Sequence, residues 1–195
     1  SGAAGDAVLP ETGRRIRREN WLAQKTAGLH HIPSNDFSNY DHVLDTAVMV
    51  GAVPARFGWK GGEVDLATYF AMARGIQEKL AGVTGGAPAM EMTKWFDTNY
   101  HYIVPEFEKA MKFRAGSERP VEMFAEASGL GVETRPVLVG PVSFLLLGKA
   151  KDPAVEPLSL LPDLLSVYGE ILRKLAAAGA KWVQMDEPCL ALDLD

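Results

Sequence analysis

Residues 162–188, PDLLSVYGEILRKLAAAGAKWVQMDEP, carry the clearest structural signal in the chain. Pro162-Asp163 opens a helix, and Leu164, Leu165, Tyr168, Ile171, Leu172 and Leu175 then recur at i, i+3 and i+4 spacing. That spacing lays one apolar stripe along the helix. Arg173 and Lys174 fall in the last turns, where cations favour the helix dipole, and Gly179 suits the C′ position. Trp182 to Met185 reads as a strand, with Asp186-Glu187-Pro188 at its C-terminal end. Helix, tight turn and buried strand make half of a βαβ unit.

Working outward, Thr134 to Gly140 (TRPVLVG) reads as a second buried strand that ends at Gly140-Pro141. A helix is expected over Pro120 to Leu130 before it. Met90 to Phe96 reads as extended and leads into a polar-aromatic loop, Asp97 to Tyr102. Asp65 is placed as an N-cap, followed by Leu66, Tyr69, Phe70 and Ala73 at helical spacing and a stop at Gly75. A helix fits Tyr40 to Val50. The polar turn Ser34-Asn35-Asp36 precedes it and follows an extended run from His30 to Pro33. Pro10 is expected as a first helical residue, with the helix running to Gly28.

This order gives about four strands with helices between them, which a doubly wound sheet or a (β/α)₈ barrel can host. No GxGxxG fingerprint follows any expected strand, so the dinucleotide-binding form of the first loses ground. The expected strand ends hold Ser34-Asn35-Asp36, the Lys94–His101 loop, Pro141-Val142-Ser143 and Asp186-Glu187. Polar groups at strand C-termini favour the barrel. A closed barrel takes about 250 residues, whereas this chain has 195. The expectation is an α/β fold comprising about half of a (β/α)₈ TIM barrel. Its open sheet edges would pair with another chain, so self-association is expected too.

Composition sets outer limits. A hydrophobic fraction of 47% with 23% charged residues is ordinary for a globular domain. A net charge of −5 gives the whole chain no electrostatic footprint for nucleic acid. The basic cluster Arg14, Arg15, Arg17 and Arg18 reads either as a solvated helix face or as a polyanion site. The single cysteine, Cys189, excludes an intrachain disulfide and fits a reducing compartment. The first 15 residues have no apolar signal region, and no apolar run reaches bilayer length. A soluble, cytoplasmic protein is expected.

Reactive constellations are sparse. Asp186 and Glu187 read as adjacent in a strand, so their side chains leave on opposite sides and cannot flank one bond as a glycosidase pair does. One is expected to point into the barrel mouth while the other pairs with an arginine or caps a helix. Lys94, set among Met92, Trp95 and Phe96, reads either as a snorkelling lysine or as a point charge for an anion. His101, between Tyr100 and Tyr102, reads as a packed histidine or a proton carrier. His30, His31, His42, His101 and Cys189 form no H-x-C, H-E-x-x-H or C-x-x-C spacing, and no G-x-S-x-G elbow occurs. No catalytic residue and no metal ligand is therefore assigned within the chain.

Several stretches together resemble one family, the cobalamin-independent methionine synthases, in their N-terminal barrel. They are IPSNDFSNYDHVLD from Ile32, GAVPARF from Gly51, DLATYFAMARG from Asp65, EMTKWFDTNYHYIVPEF from Glu91, TRPVLVGPVSFLLLGK from Thr134 and WVQMDEPCLALDLD from Trp182. The resemblance implies two facing barrels with the active site between their tops. It implies zinc in the C-terminal barrel, binding homocysteine as a thiolate that takes the methyl group of 5-methyltetrahydrofolate polyglutamate. Lys94 in EMTKWF matches the folate-contacting lysine of the family. The family's opening strand and its Arg-Glu-Leu-Lys motif are not found, nor is the zinc barrel, so residues 1–195 are expected to be a folate-side segment, inactive alone. The alternative is a stand-alone binding or scaffold half-barrel.

Overall fold

The computed structural model describes residues 4–76, 85–109 and 111–193. Its centre is a three-stranded parallel sheet made of β1 (Ile32–Ser34), β5 (Thr134–Val139) and β7 (Gln184–Asp186), in that order. β5 pairs with β1 through its first half, Ile32 opposite Thr134 and Ser34 opposite Pro136. Its second half pairs with β7, Val137 opposite Gln184 and Val139 opposite Asp186. The fold is α/β, with long crossovers between the parallel strands, as parallel pairing requires.

The first crossover contains α2 (His42–Met49), α3 (Leu66–Arg74), a hairpin of β2 (Met92–Lys94) and β3 (His101–Ile103), β4 (Glu106–Phe107) and α4 (Arg119–Gly129). The second contains α5 (Pro141–Leu147), β6 (Lys149–Ala150) and α6 (Leu161–Ala177); β6 pairs in parallel with β4. α1 (Ala4–Thr26) precedes them all. Trp21 of α1, Ile32, Ala127 and Val132 form a small buried cluster. The main core gathers α2, α3, α5 and α6 around Phe107, Leu138, Val139 and Phe144.

α6 behaves largely as its spacing predicts: Leu164, Tyr168, Ile171 and Leu175 are buried, and Gly179 adopts φ +99° just past the helix end. Val167 joins that face, while Leu165 stays 48% exposed. Asp65 accepts the Thr68 N–H at 2.7 Å, the expected cap.

Three expectations change. Pro10 lies inside α1, which begins at Ala4; the ring removes one backbone hydrogen bond near the helix start, and the helix continues upstream of it. The extended run around Met92 is not a member of the parallel sheet. It folds back as an antiparallel hairpin, with Lys94 opposite His101, because the chain reverses over residues 95–100. Gly140-Pro141 ends β5 as expected, but where the sequence predicts only a strand end it at once starts α5, Pro141 serving as a first-turn residue.

The hairpin is tied to the body by the Tyr102 hydroxyl, which donates to the Leu147 carbonyl at 3.0 Å, and by a buried carboxylate. Asp41, 1% exposed, accepts the Val43 and Leu44 N–H groups through Oδ1 at 2.8 and 3.0 Å. Its Oδ2 accepts the Ile103 N–H at 3.1 Å. Asp41→Ala removes a helix cap worth about 1 kcal/mol and strands a buried N–H that costs roughly 1–3 kcal/mol more. Asp65→Ala removes only a cap. Urea denaturation should show Asp41→Ala to be clearly the more damaging of the two; equal losses would mean that the Ile103 contact contributes nothing.

Candidate functional site

The C-terminal ends of β1, β5 and β7 open into a cleft of about 380 Å³. Parallel sheets place ligand sites at this edge because the strand ends and the loops that follow them converge there. Val137 and Val139 supply its apolar floor, and Asp186, the last residue of β7, stands beside them. Asn35 follows β1 at φ +61°, a left-handed conformation that asparagine tolerates, and donates Nδ2–H to the Val137 carbonyl at 2.8 Å. That bond closes the gap left where β1 stops. Asp36, Ser38 and Tyr40 continue along the wall.

The opposite wall comes from α2 and the hairpin. His42, the first residue of α2, lies edge-on to Trp95 (ring centroids 4.6 Å apart) and stacked on Tyr100 at 5.8 Å, with Nδ1 3.4 Å from the Tyr100 hydroxyl. Burial pushes the His42 imidazole below its ordinary pKa, while the Asp186 carboxylate opposes that shift. Asp45, one turn along, accepts the Tyr69 hydroxyl proton at 2.7 Å, and Tyr69 in turn accepts the Tyr40 N–H. Burial raises the Asp45 carboxyl, and Arg119 and Tyr69 pull it back. Burial also raises Asp41, to about 6, against the hydrogen bonds from Leu44, Ile103 and Val43.

Arg119, at the start of α4, donates Nη2–H to the Phe37 carbonyl at 2.8 Å. Its Nε is 3.9 Å from Asp45, close enough for charge attraction and too far for a hydrogen bond, so that buried N–H has no acceptor among the described residues. Arg119 and Asp45 also border a larger crevice of about 620 Å³ beneath α1, which touches no strand residue. The strand-end cleft is therefore the better candidate despite its smaller size.

The residues singled out from sequence divide between places. Asp186 lines the cleft and Glu187 turns away to cap a helix, accepting the Val142 and Ser143 N–H groups at 3.1 and 2.6 Å. Lys94 is exposed on the hairpin, outside the cleft lining but next in sequence to Trp95. His101 is also exposed, its Nδ1 2.9 Å from the Asn99 carbonyl. Arg17 is buried and paired with Glu126 at 2.6 Å, whereas Arg14, Arg15 and Arg18 are solvated. Cys189 is buried, its backbone N–H donated to Ser143 Oγ. Tyr100 falls in the Lys94–His101 loop expected at a strand end, whereas the sequence gives no cleft role to His42, Asp45 or Arg119. Asp41-His42 after the Ser34-Asn35-Asp36 turn was the one available signal, a capped helix start facing a strand end.

The lining offers hydrogen bonds, aromatic faces and charge, a set suited to holding a polar ligand. Among the described residues no three His, Cys, Asp or Glu side chains converge as a metal site requires, and no helix is long and apolar enough to cross a membrane.

An α/β protein with a polar cleft at its parallel strand ends is the class that the fold and site define. The family model described as "Cobalamin-independent synthase, N-terminal domain" matches residues 1–195, and the chain belongs to that family. A Caulobacter vibrioides protein named 5-methyltetrahydropteroyltriglutamate--homocysteine methyltransferase is 60% identical over 200 residues, covering 97% of this chain and 26% of that protein. A Nitrobacter winogradskyi protein of the same name is 56% identical over 206 residues, covering 100% and 27%. One from Parvibaculum lavamentivorans is 59% identical over 189 residues, covering 97% and 24%. The chain thus spans about a quarter of the length of these relatives.

The His42 shift makes a signed prediction. A depressed folded-state pKa means that the unfolded chain binds the proton more readily, so this group's contribution is complete above the ordinary value of 6.5 and falls as pH drops below it. NMR titration should find His42 below 6.5, and Asp186→Asn should lower it further by removing the opposing charge. A rise in the variant would contradict the geometry.

Proposed function

We propose that this chain forms the folate-side wall of a cytoplasmic methyltransferase that makes methionine from homocysteine and 5-methyltetrahydropteroyltriglutamate. The observation that carries this reading is the family match over all 195 residues, joined to a polar cleft at the ends of three parallel strands. The relatives' shared name supplies the two substrates. The reaction breaks the N5–methyl bond, forms a sulfur–methyl bond from the homocysteine thiolate, and leaves N5 to take a proton.

The described residues bring no three His, Cys, Asp or Glu side chains together and so do not fit a zinc site. In this proposal zinc belongs to the remainder of the parent protein, where it would keep the homocysteine thiol ionised near neutral pH. The present chain binds and orients, and alone is inactive. The finer fold that we infer is part of a (β/α)₈ barrel. The chain-order arrangement β1-β5-β7 supports it, as does the stagger by which β5 serves one neighbour with each half.

Lys94 is the folate contact in this reading. It sits at the end of β2, exposed, on the same hairpin that brings Trp95 and Tyr100 against His42. An ammonium there suits a glutamate carboxylate of the tail. Lys94→Ala in the full-length parent is expected to weaken binding of methyltetrahydrofolate triglutamate by about 1–3 kcal/mol, the range for a hydrogen bond to a charged group. Calorimetric titration giving equal affinities would remove Lys94 from the site.

β7 is an outer strand of the sheet, and Met185, Leu190 and Leu192 beside it are 39%, 62% and 49% exposed. Unpaired strand edges next to apolar side chains recruit further strands. The isolated 195-residue chain is therefore expected to self-associate as its concentration rises. Sedimentation velocity showing a monomer at every concentration would count against this.

A further inference from the structure

We propose that Glu187 is a positioning residue for the cleft: by docking its carboxylate on the first turn of α5, it fixes the direction in which Asp186 enters. This goes beyond the folate reading and does not depend on it.

The geometry is a closed loop of contacts. Glu187 Oε1 accepts the Val142 N–H at 3.1 Å and Oε2 accepts the Ser143 N–H at 2.6 Å. These are N–H groups that a helix start leaves without intrahelical partners. Pro141, just before them, has no N–H to satisfy. The Gly140 N–H meanwhile donates to the Asp186 carbonyl at 2.7 Å, and Ser143 Oγ accepts the Cys189 N–H at 3.1 Å. Asp186 thus lies between two clamps, its own backbone on β5 and its neighbour's side chain on α5, and its Oδ1 accepts the Gln184 Nε2–H at 2.8 Å. Side chains adjacent in extended backbone leave on opposite sides, so holding Glu187 toward α5 commits Asp186 to the cleft.

Gly140 belongs to the same device. Its backbone is ordinary, with φ −70°, so conformation does not demand glycine. Space does: a Cβ built there overlaps the Glu187 carboxylate carbon and Cγ. Any side chain at position 140 pushes Glu187 off its docking place. The Tyr168 hydroxyl bonds the Val139 carbonyl at 2.6 Å, which keeps the end of β5 fixed from the core side.

The test uses His42 as a reporter in the 195-residue protein, because Asp186 is the charge that opposes its burial-driven shift. Imidazole NMR titrations would compare the wild type with Asp186→Asn, Glu187→Gln, Gly140→Ala and, as a remote destabilised control, Asp65→Ala. The expected result is a His42 pKa lowered in Glu187→Gln and Gly140→Ala toward the Asp186→Asn value. Asp65→Ala should lose thermal stability with the His42 titration unchanged. A wild-type titration in both Glu187→Gln and Gly140→Ala, with Asp186→Asn shifted, would overturn the proposal and leave Glu187 only a helix cap. An unshifted Asp186→Asn would overturn it as well, since Asp186 would then not face His42. Failure of both Glu187→Gln and Gly140→Ala to fold would assign the contact to stability alone.

Discussion

Three short parallel strands can end at one edge only if each connection crosses back over the sheet. That constraint organises the molecule. β5 is the shared member, bonded to β1 through Thr134–Pro136 and to β7 through Val137–Val139. The alternation along β5 then sorts its side chains, with Val137 and Val139 toward the cleft and the buried Pro136 and Leu138 on the other face. A slip of one residue would exchange the two sets. The cleft is thus a consequence of register, and the stripe of α6, packed against α5 and the core, helps to hold that register.

Two carboxylates one turn apart on the same segment do different work. Asp41 is spent on the backbone, tying the start of α2 to β3 and so fixing the hairpin. Asp45 is spent on side chains, between Tyr69 and Arg119. Burying both is unfavourable, and the upward shifts of both carboxyl groups register that cost. Three N–H donors offset it for Asp41; a hydroxyl and a guanidinium offset it for Asp45. Because Arg119 also holds the Phe37 carbonyl, the wall that carries Asp36 and Ser38 depends on this pairing.

The helices with caps or amphipathic faces were legible in the sequence. Asp65 and Gly179 act as their residue types predict, and α6 buries most of its stripe. α5 was not legible, since PVSFLLL is apolar almost all round and seven residues show no polar face. β4 and β6 are two residues each, too short for any alternation to appear. The hairpin failed for another reason: local propensity makes Met92–Lys94 extended, yet nothing local says which strand it joins. The site followed the same division. Strand-end residues such as Asp186 could be foreseen from topology, whereas Arg119 and Asp45 reach the cleft from helices, where a charged residue usually marks a solvated face.

Charge also decides how the proposed ligand could lie. Among the described residues the cleft is lined by Asp36, Asp45 and Asp186 against one guanidinium, Arg119, and burial disfavours the protonated form of His42. A polyglutamate tail brings several negative charges, and carboxylates facing one another a few ångströms apart in a partly dehydrated cleft repel strongly. Under the proposed function such a tail would be kept out of the cleft interior and would run along its rim. Lys94 is exposed at the end of β2, on the hairpin whose Trp95 packs on His42. In the proposed function that exposure suits a cation for an anionic tail, because an acidic interior would repel the tail and leave it at the solvated edge.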